Sequence, residues 1–365
     1  ERTAGKLYEA LEQLHPAELK RVAETGVIAR ITGQNPGGPV VAIRGDIDAL
    51  PIQEATALDF ASQTPGVMHA CGHDVHATWT IGAAHLLSEN PAVGDVLIIL
   101  QPAEEIAKGA VAILESGALE GVRAIFGAHV DRRFEVGQVV ADEGPVAASA
   151  DMFEIELVGK GAHGARPHEG NDPVVGMAAL VSALQTVVSR RLDPGKAGVV
   201  TVGTVRAGSA PNIIPETAML MGTIRSMDAE SRALLHSEVK KIAQTTAKAY
   251  TLECKYKAEF GTPPIVNPGE AIQWARQAAT AVLGDEALVP LGFVNMGGED
   301  FACYMEKIPG CFVRIGAREP GGEVIPAHTP QFYAAEDSIF VGAAVLAETA
   351  RMASAALQRQ TEQKE

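Results

Sequence analysis

Short apolar runs rich in β-branched residues alternate with stretches of helical periodicity in the first part of the chain. The runs at residues 40–44, 96–101 and 124–129 have strand character, and residues 77–89 and 109–116 have helical spacing. Such an alternation favours parallel strands joined by helices that cover both faces of one sheet. The pattern returns with a helix at 271–283, a strand at 311–316 and a last helix from about residue 335. We therefore predict an α/β domain with a mostly parallel sheet, built from both ends of the chain.

The middle of the chain follows a different order of elements. Strand patterns at 152–158, 199–206, 217–225 and 252–259 are interrupted by two helical patterns, 173–190 and 229–250. Asp228 is a suitable N-cap for the second helix. The order β-α-β-β-α-β is typical of a ferredoxin-like α+β domain. With 365 residues the chain is long enough for two domains, so we predict that residues 150–260 are inserted into a domain formed by 1–149 and 261–365.

Composition excludes several classes of function. The net charge of −15 gives no basic footprint for a nucleic acid, so we expect no nucleic-acid partner. No apolar run reaches the roughly 18 residues that a bilayer span requires, and we expect no membrane association. The four cysteines are too scattered for a disulfide framework, and the first residues do not read as a signal peptide. These features favour a cytoplasmic protein.

Polar side chains that can bind metal follow the predicted parallel strands. Asp46 and Asp48 come after the run at 40–44, Glu104 and Glu105 come after 96–101, and His129 ends 124–129. The carboxyl ends of parallel strands gather at one edge of a sheet, which is where such folds bind ligands. We expect these groups to converge.

The octapeptide 69–76 holds the densest cluster, with Cys71 and His73 separated by one glycine. A thiolate and an imidazole can both reach a metal from a turn, with Asp74 orienting a histidine from behind. Two other interpretations of Cys71 remain open at this point, a small buried apolar residue and a nucleophile.

The adjacent Glu104 and Glu105 can divide two tasks, one as metal ligand and the other as proton shuttle. Acidic residues are also common at solvated helix N-termini, which is the alternative. His129 and His328 would each be a structural residue more often than a ligand. Cys71, His73 and Glu105 alone provide too few ligands, and His129 and His328 would complete the set.

Three residues of the middle segment suit contact with an anionic substrate that carries a carbonyl group. His163 lies in a glycine-rich turn, Asn212 follows a proline in a rigid turn, and Arg225 ends a strand. The alternative is that His163 and Asn212 are turn residues and Arg225 is a surface charge.

Together these segments resemble the aminoacylase and carboxypeptidase family of dinuclear metallopeptidases. The similarity is greatest to its N-acyl-amino-acid amidohydrolases, the subgroup of hippurate and indole-acetyl-amino-acid hydrolases. It covers essentially the whole chain and is carried by residues 44–51, 68–76, 101–105, 126–130, 159–167, 212–216, 222–225 and 297–301.

The resemblance implies roles for the candidate residues. In this subgroup a cysteine takes the metal-bridging place held elsewhere in the family by an aspartate, and Cys71 matches it. Cys71, Glu105 and His328 would hold one divalent ion, zinc or manganese, and Cys71, His73 and His129 would hold the second. Glu104 matches the general base, His163 a histidine that reaches the substrate carbonyl, and Asn212 and Arg225 match substrate-binding positions.

The implied architecture is a catalytic domain with an inserted lid that also forms a homodimer or a higher homo-oligomer, and the implied reaction is amide hydrolysis in N-acyl amino acids. A dipeptidase or carboxypeptidase with the same centre, or a catalytically silent metal-binding homologue, are the alternatives. The chain starts just after the family's usual opening segment. It also departs from the family pattern at residues 106–108 and 131–133, near the expected site mouth.

Overall fold

The computed structural model describes residues 1–293 and 295–363. The strands are β1 Glu18–Val22, β2 Gly26–Ile31, β3 Val40–Asp46, β4 Val96–Gln101, β5 Val122–Glu135, β6 Val139–Val140, β7 Gly144–Ala147, β8 Ala150–Val158, β9 Ala162–His163, β10 Gly198–Ala207, β11 Ile213–Ile214, β12 Thr217–Ser226, β13 Glu253–Thr262, β14 Ile265–Asn267 and β15 Gly310–Arg318. The α-helices are α1 Arg2–Glu12, α2 His73–Glu89, α3 Gly109–Glu115, α4 Pro173–Arg191, α5 Ala229–Ala249, α6 Gly269–Leu283, α7 Phe301–Met305 and α8 Asp337–Glu362. Short 3₁₀ turns lie at Pro167–Glu169 and Asp285–Ala287.

The chain divides into two compact units. Unit 1 comprises Glu1–Gly144, Asn267–Phe293 and the residues from Asp300 onward, and unit 2 comprises Pro145–Val266 together with the short stretch up to Glu299. The insertion predicted at 150–260 lies within the larger segment of unit 2.

Unit 1 contains a seven-stranded sheet in the order β1-β2-β4-β3-β5-β15-β6. The four central strands β4, β3, β5 and β15 are parallel, whereas the pairings β1–β2, β2–β4 and β15–β6 are antiparallel. All six residues of β4 are buried, as expected for a strand covered on both faces. Helices α2, α6 and α8 pack together and against the sheet. The fold is mixed α/β, and the parallel arrangement holds for the centre of the sheet.

Two sequence-based expectations for unit 1 were wrong. We expected the third strand to end at His129, but β5 continues to Glu135 because β15 pairs with it in parallel as far as that residue. We also expected the helix after the octapeptide to begin at about residue 77. It begins at His73, because the left-handed turn at Gly72 starts the helix there.

Unit 2 contains a four-stranded antiparallel sheet in the order β10-β12-β8-β13, with α4 and α5 packed together against it. Burial alternates along β8, and its inward side chains form the apolar core with the two helices. The Asp172 and Asp228 side chains accept backbone N–H groups at the starts of α4 and α5, so the N-cap predicted at Asp228 is present.

Within the described residues, two helices, α4 and α8, are long and apolar enough to cross a membrane by length and composition. Each has another role in the fold. Helix α8 packs against α2 and α6 within unit 1, and α4 packs against α5 and the sheet of unit 2.

Candidate metal centre

Thiol, imidazole and carboxylate groups converge near the ends of the parallel strands of unit 1. Cys71 Sγ lies 3.4 Å from His129 Nε2 and 3.3 Å from His328 Nε2. Glu105 Oε1 lies 3.4 Å from His328 Nε2 and 3.9 Å from His73 Nε2. All five residues that we predicted as metal ligands are therefore within one small region.

Several groups of donors in the described part of the chain have ligand atoms within 4.8 Å of one another, and two of these groups contain Cys71. One group is Cys71, His73 and His129, and the other is Cys71, Glu105 and His328. Cys71 is the shared member. A sulfur common to two donor sets is the arrangement needed for a ligand that bridges two ions.

The turn between Cys71 and His73 requires glycine. Gly72 has φ +86°, and a Cβ at this position would lie 2.3 Å from Cγ2 of Val130. The left-handed turn ends the loop at Cys71 and starts α2 at His73. The two side chains can therefore face the same region although they are only two residues apart.

Burial controls the protonation of two of the sulfur and nitrogen donors. It raises the pKa of the Cys71 thiol to about 12. Burial also holds the pKa of His129 well below its usual value, so that its ring is neutral and suited to bind a cation. A thiolate at Cys71 therefore requires a nearby cation at neutral pH.

Hydrogen bonds at Nδ1 fix the ring orientation of His129 and His73. His129 Nδ1 donates to the carbonyl of Val130 at 2.7 Å, which leaves Nε2 facing Cys71. His73 Nδ1 lies 3.0 Å from the carbonyl and 3.2 Å from the carboxylate of Asp48. Burial opposes protonation of His73, but the charge of Asp46 and the hydrogen bond to Asp48 nevertheless raise its pKa well above the usual value.

The supporting residue that we expected, Asp74, does not perform this role. Asp74 is exposed in the first turn of α2, and its carbonyl accepts a bond from Thr78. Its side chain points away because successive residues of a helix face different directions. Asp48 takes the role and also accepts the backbone N–H of Glu105 at 3.0 Å, thereby connecting two loops of the centre. The sequence carried a signal for Asp48, its place after a parallel strand.

Glu104 and Glu105 follow β4 and are both largely buried. Glu104 Oε2 lies 4.0 Å from His73 Nε2, and its Oε1 accepts the backbone N–H of Asp300 at 3.4 Å. Burial raises the pKa of Glu105. Both carboxylates therefore lie close to His73, and Glu105 also lies close to His328.

Two buried polar atoms at this centre make no hydrogen bond within the described part of the chain. They are His73 Nε2 and Glu105 Oε1, and both face the other donors. Leaving a buried polar atom unpaired is costly, and a bound metal ion would give both atoms a partner. Sulfur, imidazole nitrogen and carboxylate oxygen are ligands of Zn²⁺ and, for the last two, Mn²⁺. The residues present therefore fit divalent ions.

The three predicted substrate-binding residues lie in unit 2. His163 in β9 pairs with Ile213 in β11, and Gly164 donates to the carbonyl of Asn212 at 2.8 Å, so that His163 and Asn212 are neighbours. His163 Nδ1 accepts the N–H of Ala165, which leaves Nε2 for another partner. Arg225 lies near the C-terminal end of β12.

Comparison with known proteins identifies the family of this chain. The model of peptidase family M20/M25/M40 matches residues 42–352. An N-acetylcysteine deacetylase of Bacillus subtilis is 43% identical over 344 residues, covering 94% of this chain and 87% of that protein. IAA-amino acid hydrolase ILR1-like 2 of Arabidopsis thaliana is 39% identical over 337 residues, covering 90% of this chain and 75% of its own length.

Among solved structures, the Bacillus subtilis YXEP protein is described as a dinuclear metal-binding peptidase. It superposes with a TM-score of 0.85 at 37% identity, covering 97% of this chain and 92% of that one. Family match, sequence identity and coverage agree, and the resemblance inferred from the sequence is confirmed. The chain belongs to peptidase family M20/M25/M40.

Proposed function

We propose that this protein hydrolyses the amide bond of N-acyl amino acids with two divalent ions, releasing a carboxylic acid and a free amino acid. One observation carries the proposal, the two donor groups that share the Cys71 sulfur. The named activities of the two relatives, a deacetylase and an amino-acid-conjugate hydrolase, are both hydrolyses of a linear amide. The protein is accordingly a metal-dependent amidohydrolase.

When bound, two divalent ions would supply Lewis acidity that polarises the acyl carbonyl and lowers the pKa of a water molecule. Glu104 accepts a proton from the water as its oxygen bonds to the acyl carbon, and it returns a proton to the amine nitrogen as the C–N bond breaks. The N–H of Asp300 at Glu104 Oε1 orients the carboxylate for both transfers. Cys71, His73, Glu105, His129 and His328 act as the ligands, and Asp48 keeps His73 in the required orientation.

Unit 2 supplies groups that bind the substrate. The guanidinium of Arg225 suits an α-carboxylate, because its planar fork matches two carboxylate oxygens. His163 donates from Nε2 to the acyl oxygen, and Asn212 binds beside it. Here His163 stabilises the negative charge that develops on this oxygen during attack.

The positions of these groups within unit 2 support a homodimer. Thr217 and Arg225 are eight residues apart on β12, which is roughly 26 Å of strand, and Asn212 lies beyond Thr217. An N-acyl amino acid spans only about 7 Å, like two residues of extended chain. One substrate molecule cannot contact both ends of this strand, so we infer that Arg225 and the His163–Asn212 pair serve different active sites of a dimer.

Unit 2 also offers a surface for that dimer. Residues 173–189 of α4 carry no charged side chain, and Val174, Val175 and Ala178 are exposed on this helix. Strand β10 is an edge strand of the sheet and is largely exposed. An uncharged helix face beside an open strand edge is a surface that soluble proteins usually cover.

We place the protein in the cytoplasm, where its four cysteines, all free, would stay reduced.

A substrate panel tests this function. N-acetyl and N-benzoyl amino acids are compared with dipeptides, each in the presence of added Mn²⁺ or Zn²⁺. We expect turnover of N-acyl amino acids at least ten times faster than that of dipeptides, since the two relatives named above are a deacetylase and an amino-acid-conjugate hydrolase. Faster turnover of dipeptides would establish a dipeptidase or carboxypeptidase instead. No turnover of either class would establish a silent homologue.

A further inference from the structure

A buried arginine, Arg44, lies beneath the metal centre and is 1% exposed. Its three donor nitrogens point to three different side chains. Nη1 donates to Asp46 at 2.6 Å, Nη2 donates to Asp300 at 2.8 Å, and Nε donates to Gln101 at 2.8 Å. Asp46 and Asp300 are fully buried. One cation therefore compensates two buried carboxylates that come from distant parts of the chain.

The first carboxylate connects Arg44 to the strand that carries His129. Asp46 Oδ1 lies 2.6 Å from His76 Nδ1, and His76 Nε2 accepts the backbone N–H of Val130 at 2.9 Å. Since Nε2 is the acceptor, the proton of the neutral ring is on Nδ1 and is donated to Asp46. This chain of bonds fixes β5 at the residue next to His129.

The second carboxylate connects Arg44 to the glutamate assigned as general base. Asp300 accepts bonds from Gln101 Nε2 at 2.8 and 2.9 Å and from the N–H of Ala110 at 3.0 Å. Its side chain is thus held on several sides. Its own backbone N–H donates to Glu104 Oε1. The position of Asp300 therefore sets the position of one Glu104 oxygen.

We propose that Arg44 is a positioning residue that aligns the ligand His129 and the base Glu104 together, through Asp46 and Asp300. The inference rests on the proposed function for the role of Glu104, but its effect on metal binding is independent of the substrate. Arg44 does not touch the reacting atoms. It acts by fixing the two groups that do, relative to each other.

Lysine cannot replace arginine in this role. An ammonium group is a compact charge with no fixed angles between its donors, whereas the guanidinium directs its N–H groups in one plane. Arg44→Lys keeps the charge that neutralises the two carboxylates and loses the geometry. Removing the charge altogether would leave carboxylates buried without compensation, a cost that could unfold the protein.

If Arg44 had a purely structural role, the loss of another hydrogen bond in the same buried region should have the same effect. Tyr304→Phe is the matched control for this possibility. The Tyr304 hydroxyl donates to Gln101 Oε1 at 3.0 Å, the same oxygen that accepts from Arg44 Nε. Its loss perturbs the same buried region. It interrupts neither the Asp46–His76 connection nor the Asp300–Glu104 connection.

The test uses full-length enzyme loaded with Co²⁺, whose visible and thiolate charge-transfer absorption reports the geometry around Cys71 and its neighbours. For Arg44→Lys we expect a shifted cobalt spectrum, a loss of about 10–100-fold in metal affinity or kcat, and KM within about threefold of wild type. For Tyr304→Phe we expect the wild-type spectrum and kcat, even if the variant is less stable.

An Arg44→Lys enzyme with the wild-type spectrum and kcat would overturn the proposal, as would equal spectral changes in both variants. If Arg44→Lys does not fold, Asp300→Asn carries the test. That variant should lower kcat about tenfold or more while leaving the cobalt spectrum unchanged, and an unchanged kcat overturns the proposal. If the wild-type enzyme hydrolyses no N-acyl amino acid, the proposed function fails, while the cobalt spectra still decide the role of Arg44.

Discussion

Replacing Asp151 by asparagine should destabilise unit 2 in a manner that depends on pH. Asp151 begins the buried alternation of β8 and is 1% exposed. Its carboxylate accepts two bonds from Arg232, at 2.6 and 2.8 Å, one from His236 Nε2 at 3.0 Å and one from the N–H of Gly261 at 3.0 Å. Each of these bonds favours the ionised form.

The size of the effect follows from the pKa. Burial opposes ionisation of Asp151, yet the bonds to Arg232 and His236 lower its pKa from 3.8 to about 2. A difference of this size between folded and unfolded chains contributes about 2 kcal/mol of unfolding free energy at neutral pH. Because the folded-state pKa is the lower one, the contribution is fully present above about pH 5. It is lost as the pH falls towards 2, and roughly half of it remains at pH 3.

Urea unfolding of wild type and Asp151→Asn at pH 7 and pH 3, followed by far-UV circular dichroism, measures this contribution. Amide exchange of peptides from β8 and α5 localises it. Glu156→Gln is the control, since the Glu156–Lys255 pair is exposed to solvent and should contribute less than about 1 kcal/mol. A loss below about 0.5 kcal/mol at pH 7, or a loss that does not shrink at pH 3, would refute the reasoning.

Three further predictions concern unit 1. Glu104→Gln should lower kcat by about 10²–10⁴-fold with metal content unchanged, measured by single-turnover kinetics and elemental analysis, and near-normal turnover would contradict the role of a base. Cys71→Ala should lose metal measurably on dialysis, whereas Cys71→Asp should retain more metal and more activity; equal retention by both would contradict a bridging role. Gly342→Ala should lower stability by about 1–3 kcal/mol in urea unfolding, because its Cβ would lie 2.3 Å from the ring of the buried Trp79, and unchanged stability would show that the ring can move.

The sequence predicted several of the elements whose burial determines their residue types, although the buried strand β2 was missed. Strands β3 and β4 begin with apolar runs, and α6 has clear helical spacing, so all three were predicted near their observed bounds. Strand β1 was missed because Glu18, Lys20 and Arg21 give it the composition of a surface loop. The last part of β5 was also not predicted as a strand, because it contains charged residues. It is a strand because β15 pairs with it.

In the candidate site, residues in local motifs were predicted from the sequence, whereas contacts between residues far apart in the sequence were not. Cys71, His73, Glu104 and Glu105 stand in compact motifs that made them candidates for metal binding, and the family resemblance then separated this interpretation from its alternatives. Asp48 and Asp46 were noticed as strand-end carboxylates, but their hydrogen bonds to His73 and His76 depend on the fold. The contact of Arg44 with Asp300 joins residues 256 positions apart, and no local pattern could predict it.

The amide-hydrolysing activity expected from the resemblance agrees with the relatives, which include a deacetylase and an amino-acid-conjugate hydrolase. The structure shows the surroundings of the two departures from the family pattern, at residues 106–108 and 131–133. Ile106 is 63% exposed beside Glu105, and Arg133 is held by Asp131 through bonds as short as 2.6 Å. Variation at these two positions is expected to change substrate preference more than metal binding.

The central claim is that two ions held around Cys71 hydrolyse an N-acyl amino acid, and a metal titration tests it most directly. Enzyme stripped with a chelator is titrated with Mn²⁺ or Zn²⁺ while the release of free amino acid from the best substrate of the panel is measured. We predict no turnover before addition and a rise in rate that reaches its maximum at two ions per chain. Full activity in the stripped enzyme, or a maximum at one ion per chain, would contradict the account.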